Sequence, residues 1–248
     1  MYILGDIGNS ETKIYLVNSR GKILKKAIFL SKNINSKTLN FYFKKFKNDF
    51  IKIQKILFCS VVPDTFILIK KYLKNKVKTR CYEIKDLKLK SLINIKVNFK
   101  QVGSDRITNA IGLINNKDNF IVLDFGTATT FDVVIKNIYK GGVIAPGIKI
   151  SLNTLFDHAS LIPRINLKKI KKIIGNDTSS AVQSGFFWGY TGLIDNVINL
   201  IKKETKKSFK LVFTGGFSSL FKKSLKKRII HDKYITLKGL FKISKLIK

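Results

Sequence analysis

The chain has 248 residues, 45% of them hydrophobic, three prolines, two cysteines and a net charge of +33. That length holds one large α/β domain or two lobes of about 120 residues each. Two isolated cysteines and two isolated histidines exclude a disulfide framework and a zinc site, so a reducing cytoplasm is expected; no apolar run reaches the ~20 residues of a bilayer span, and the opening Met1-Tyr2-Ile3-Leu4-Gly5-Asp6 has no basic leader.

Taken in order, hydrophobic periodicity predicts strands over Tyr2–Gly5, Lys13–Val17 and Lys22–Phe29, the first two joined by Asp6-Ile7-Gly8-Asn9-Ser10. An amphipathic helix over Thr38–Phe46, a buried strand over Lys55–Cys59 and a helix over Asp64–Lys74, with Pro63 just ahead of it, follow. Ser104–Asn115 reads as a helix with Ser104 or Asp105 at its start. Strands are then expected over Asn119–Leu123, Thr130–Ile135 and Ile138–Val143, with Asp124–Ala128 as a turn. Helices over Ile148–Phe156 and Ser179–Lys202, a strand over Lys210–Thr214, the turn Gly215-Gly216 and helices over Ser218–Leu225 and Leu240–Ile247 complete the chain.

The second half repeats the plan of the first. Leu4-Gly5-Asp6-Ile7-Gly8-Asn9-Ser10-Glu11-Thr12 aligns with Val122-Leu123-Asp124-Phe125-Gly126-Thr127-Ala128-Thr129-Thr130, and Ile56-Leu57-Phe58-Cys59-Ser60 with Leu211-Val212-Phe213-Thr214-Gly215. Duplication into lobes 1–116 and 117–248 is the economical reading, with the boundary near the polar Asn115–Asn119. The charge is less informative. Of 48 basic residues 43 are lysine, spread along the whole chain among Ile, Asn and Phe, the residues that A/T-rich codons favour. Compositional drift therefore accounts for it better than nucleic-acid binding, and each of the five arginines becomes a candidate for a geometry that lysine does not supply.

A strand–Asp-x-Gly–strand hairpin has a physical use. Its glycine admits close backbone approach, its N–H groups can cradle phosphate oxygens, and its carboxylate suits a hard cation. Two such hairpins would hold a triphosphate from both sides. Asp105 is one of 15 acids and Arg106 one of five arginines. Beside a cleft, such a carboxylate can serve as general base towards a hydroxyl, and such a guanidinium can grip a carboxylate or phosphate; the bland reading is a helix-start acid and a solvated charge. Gly141-Gly142 to Pro146-Gly147 and Gly215-Gly216 are tight loops or points of close approach to ligand. Asp177, Thr178 or Ser179 could cap the long helix.

Together, Asp6-Ile7-Gly8-Asn9-Ser10, Gly103-Ser104-Asp105-Arg106, Asp124 to Thr130, Gly141 to Gly147, Ile174 to Thr178 and Thr214-Gly215-Gly216 resemble, in order and nearly end to end, type III pantothenate kinase of the acetate kinase, sugar kinase, Hsp70 and actin superfamily. The resemblance implies a duplicated actin-like ATPase (ribonuclease H-like) α/β fold, with two lobes around a nucleotide cleft, and ATP-dependent phosphorylation of pantothenate to 4′-phosphopantothenate towards coenzyme A. By the same resemblance, Asp6, Ile7, Gly8, Asn9, Ser10, Glu11, Thr12 and Lys13 would form the first phosphate-binding turn, with Asp6 near the Mg²⁺ of Mg-ATP, and Thr127 would touch ATP. Asp105 would be the general base, Gly103, Ser104, Asp105 and Arg106 would hold pantothenate, and Asp124 would bind a monovalent cation, K⁺ or NH₄⁺. Thr178 would reach pantothenate from the neighbouring subunit of a homodimer. The alternative is a non-catalytic regulatory relative that binds nucleic acid, which the charge favours only superficially.

Overall fold

A computed structural model describes residues 1–32, 34–225 and 227–247. In chain order the elements are β1 (Tyr2–Ile7), β2 (Glu11–Val17), β3 (Ile23–Leu30), α1 (Ser36–Phe43), β4 (Lys55–Ser60), α2 (Pro63–Lys74), β5 (Cys81–Glu83), β6 (Asn94–Ile95) and α3 (Ser104–Leu113). There follow β7 (Asn119–Phe125), β8 (Ala128–Ile135), β9 (Ile138–Pro146), α4 (Ile148–His158), α5 (Thr178–Thr205), β10 (Lys210–Gly215), α6 (Ser218–Lys222), β11 (Ile229–His231) and α7 (Ile235–Ser244). Two compact units result: Met1–Asn115 with Asn137–Tyr139 and Tyr234–Lys248, and Asn116–Lys136 with Lys140–Lys233. A single cut between 116 and 117 therefore differs from the observed division at the C-terminus, because α7 packs into the first unit.

In the first unit the strand order is β3-β2-β1-β4-β5, antiparallel across β3, β2 and β1 and parallel from β1 through β4 to β5. In the second, β9-β8-β7-β10-β11 runs in the same order, with β7–β8 antiparallel and β7–β10–β11 parallel. The duplication read from the residues is thus present in topology. In each unit the central strand carries an Asp near its C-terminal end, Asp6 in β1 and Asp124 in β7. Each pairs in register with the end of a parallel strand, Asp6 with Cys59 and Asp124 with Thr214.

Side-chain alternation fixes which face each sheet buries. Ile3, Ile7, Ile14 and Leu16 join Phe43, Phe46, Ile69 and Leu73 in one core, and in the second unit Ile121, Leu123 and Phe213 join Phe187, Ile194 and Phe221 in another. The expected helix Thr38–Phe46 is α-helical only to Phe43 and continues as 3₁₀ turns over Lys44–Lys52. The short strands β5, β6 and β11 gave no periodicity to read, having two or three residues each.

The other face of the first sheet is covered by α3 and α7, which touch backbone to backbone. A Cβ at Gly239 would lie 1.9 Å from the Thr108 carbonyl oxygen, and one at Gly112 would lie 2.6 Å from that of Ile235. Thr236 Oγ1 donates to Asn109 Oδ1 at 2.7 Å, and the Lys242 ammonium donates to the carbonyls of Ile111, Gly112 and Ile114 at 3.1, 3.0 and 3.0 Å. Lys242 thereby closes the carbonyl end of α3, and desolvation holds its pKa below the ordinary lysine value. Gly239 lies inside a helix that the sequence reading started one residue later, at Leu240; glycine there serves the close contact, not a helix break.

Candidate functional site

The first unit brings Asp6, Cys59 and Asp105 together. Asp6 stands near the end of β1, opposite Lys13 on β2 and Cys59 on β4. The Cys59 thiol donates to Asp6 Oδ1 at 3.6 Å, with Thr108 of α3 beside it. Burial pushes the Asp6 carboxyl from 3.8 up to about 6; Lys13 opposes the shift, whereas the negative charge of Asp105 adds to it. Asp105 is likewise raised by burial, against the Arg106 backbone N–H, which donates to its Oδ1 at 2.8 Å, and against the Arg106 guanidinium and Lys85. Two buried carboxylates, one at the end of β1 and one at the start of α3, thus have raised pKa values, a condition common at functional sites.

Gly103 makes room for this arrangement. A Cβ there would sit 2.5 Å from Asp105 Oδ1, so the carboxylate folds back over the helix start where any other residue would push it out. Ser104 is buried, and its carbonyl accepts the Thr108 hydroxyl at 2.7 Å, fixing the first turn of α3.

The hairpin of β1 and β2 is closed by the Gly8 N–H donating to the Glu11 carbonyl at 3.0 Å, with Asn9, Ser10 and Glu11 exposed at its tip. Ile7 and Thr12 belong to this turn through their backbone alone. The Ile7 side chain lies in the core, and the Thr12 hydroxyl is buried against Ser31 Oγ at 2.9 Å. Lys13 reaches Glu11 at 3.9 Å across exposed surface, a pairing of little energetic weight.

The second unit repeats this construction around Asp124. Gly215, at φ +83°, ends β10 so close that a Cβ would meet Asp124 Oδ1 and the Phe125 backbone, each at 2.6 Å. The Gly216 N–H donates to the Phe125 carbonyl at 3.0 Å. Gly147, after β9, has room only for hydrogen, since a Cβ would be 2.0 Å from the Thr127 carbonyl oxygen. Asp124, Thr127, Gly147 and Gly215 are thus neighbours within one unit. Thr178 lies elsewhere in it, exposed at the start of α5 and spanned by the capping box of Asp177 and Ser180. Donation from Ser180 holds the Asp177 carboxyl below its ordinary value.

Sequence reasoning did not single out Cys59, Tyr15 or Tyr234. The available signal was register: Cys59 aligns with Thr214 at the second strand end of each repeat, and Tyr15 follows Lys13 by two on the face that carries Asp6. Among the described residues no group of three or more His, Cys, Asp or Glu side chains could hold a metal. An ion at Asp6 would therefore take one or two carboxylate oxygens and complete its shell from phosphates and water, which is the habit of Mg²⁺.

One consequence follows for the metal-free protein. Asp6 binds its proton more tightly folded than unfolded, so its contribution to stability is full below pH 3.8 and is lost as pH rises through about 6. Thermal unfolding followed from pH 4 to 7 should show Asp6→Asn gaining on the parent by up to about 3 kcal/mol towards neutrality. A difference that stays constant across that range would refute the raised pKa.

The model of the family described as type III pantothenate kinase matches residues 2–200. The type III pantothenate kinase of Pelagibacter ubique is 60% identical over 248 residues, the full length of both chains. That of a Sulfurihydrogenibium species is 37% identical over 252 residues, covering 99% of this chain and 100% of its own. Among solved structures, a protein assigned as a Baf family transcriptional activator from Campylobacter jejuni superposes with a TM-score of 0.62 at 23% identity, over 98% of this chain and 97% of its own. A protein assigned as a sugar kinase from Cytophaga hutchinsonii reaches a TM-score of 0.51 at 13% identity, over 98% and 99%.

Proposed function

The chain belongs to the type III pantothenate kinases, actin-like ATPase folds that phosphorylate pantothenate on the way to coenzyme A, and on that premise we propose that Asp105 is the general base of the transfer. The observation that carries this role is the pairing of Asp105 with Asp6 at the start of α3. Burial, against the opposing Arg106 and Lys85 charges, makes Asp105 a stronger base than an ordinary carboxylate, suited to accept the proton of a primary hydroxyl. Arg106 and the Gly103–Arg106 turn orient pantothenate. The Gly8–Glu11 tip and Lys13 face the phosphates of ATP, and Thr127 touches the nucleotide from its own turn. Asp6 would hold the Mg²⁺ of Mg-ATP, which would supply charge neutralisation to the transferring group. Asp124, an oxygen donor beside the Phe125 and Gly215 backbone, is the candidate ligand for K⁺ or NH₄⁺. The direct test is formation of 4′-phosphopantothenate from pantothenate and ATP with and without K⁺, NH₄⁺ and Mg²⁺. A product that forms equally well in their absence would remove both ion assignments.

Nucleic-acid binding is not favoured, because only the dispersed lysine excess supports it. Among the described residues no helix is long and apolar enough to cross a membrane; the cytoplasm is the compartment in keeping with two buried free cysteines. A homodimer is supported by the second unit, which leaves Leu161 at 90% and Ile174 at 81% exposure. Ile174 precedes Thr178 by four residues, so a subunit contact there would bring Thr178 to the partner. Ile174→Asp is expected to shift sedimentation from dimer to monomer and to raise the KM for pantothenate about tenfold. A dimer of undiminished activity would argue against this surface.

A further inference from the structure

The Tyr15 phenol lies on β2, two residues beyond Lys13 and on the face of the sheet that carries Asp6. It is 6% exposed, its ring meeting Tyr234 edge-on at the start of α7 with centroids 6.4 Å apart. Its hydroxyl has no hydrogen-bond partner among the described residues. Buried hydroxyls ordinarily find one, and leaving one without costs stability. The sealed unpartnered side-chain atoms among the described residues are Thr129 Oγ1 and Trp188 Nε1, and the Tyr15 hydroxyl is not one of them. Its electrostatic neighbours are Asp6, Tyr234 and Glu11, and burial together with the Asp6 charge pushes its pKa up to about 12. It is therefore a neutral, permanent donor at physiological pH. A donor held rigidly by nine-tenths burial, without an acceptor among the described residues and beside the carboxylate at the phosphate turn, is placed for an acceptor that arrives with a ligand.

We infer that the Tyr15 hydroxyl donates a hydrogen bond to an anionic oxygen of a ligand seated against Asp6. The oxygen could belong to the triphosphate of ATP or to the carboxylate of pantothenate, and the chemistry of donation is the same for both. The inference rests on the kinase reading and adds a binding residue to it. It differs from the roles given to Asp6–Lys13, which act through the turn and its charges, since Tyr15 lies outside that turn and acts through a buried phenol.

Tyr15→Phe removes the hydroxyl and leaves the ring packing, so the variant keeps its fold and its melting temperature. Steady-state kinetics should show KM raised about tenfold or more, as the loss of a hydrogen bond to a charged group predicts, with kcat changed far less. A rise in KM for ATP identifies the triphosphate as the acceptor; a rise in KM for pantothenate identifies its carboxylate. Unchanged KM for both overturns the inference, and so does a lower melting temperature with unchanged KM, which would make the hydroxyl structural. Calorimetric titration of parent and variant with ATP and with pantothenate separates this from the kinase reading. Were the parent to bind ligand but not phosphorylate pantothenate, the kinase reading would fail, while a difference in affinity between the two proteins would still decide the Tyr15 contact.

Discussion

Asp105→Asn is expected to leave a folded, ATP-binding protein that phosphorylates pantothenate on the order of 10²–10⁴-fold more slowly than the parent. The amide matches the carboxylate in shape, so the turn at Gly103 and the packing of α3 persist. What is lost is the acceptor for the hydroxyl proton. The change also removes a negative charge that raises the Asp6 pKa, so the melting temperature at neutral pH should not fall. Loss of activity with retained ATP affinity and retained stability is therefore the signature of a base. Undiminished kcat would take Asp105 out of proton transfer, and equal losses of ATP affinity and activity would reassign it to nucleotide binding.

Gly239→Val should have the largest effect on stability, at a position distant in sequence from every motif. The first added carbon would overlap the Thr108 carbonyl oxygen, 1.9 Å away, a backbone atom that cannot swing aside as a side chain could. Helix α7 must then move off α3, with loss of the Thr236–Asn109 bond and of the three carbonyl contacts of Lys242. A cost of about 3 kcal/mol is expected for overpacking of this kind, a fall of roughly 10 °C in melting temperature for a chain of this size. Because α3 carries Asp105 at its other end, kcat should decline in parallel even below the melting transition. A stable Gly239→Val protein with normal kcat would show that α7 does not hold α3, the helix of the proposed base, in place.

The contrast between these two positions reflects what a sequence exposes. Asp105 was legible because it is a rare acid in a basic chain, adjacent to a rare arginine and at a helix start, and because its motif stands in order with five others. The repeated Asp-x-Gly hairpins were legible for a related reason: strand periodicity, glycine and carboxylate all fall within a few adjacent residues, and the duplication prints the pattern twice. Gly239 carried the opposite message, since a lone glycine late in an apolar stretch reads as a break, and only the crossing of two helices makes it a contact point. The short strands β5, β6 and β11 were beyond reading because two or three residues carry no period.

The sequence by itself determined the α/β class, the repeated plan, the family and the identity of the charged groups, because each of these is written in local pattern and in the order of motifs. Tertiary structure alone decided which groups meet. It set Cys59 against Asp6 through the register of β1 and β4, turned the Thr12 hydroxyl inward to Ser31, and brought the Tyr15 ring against Tyr234. It also carried the C-terminal helix back to the first unit. Pairings across 53 residues, as between Asp6 and Cys59, or across 131, as between Lys242 and Ile111, depend on how whole sheets and helices pack. No local window of the chain contains that information, whereas the charge and shape of each partner are already fixed by its own residue.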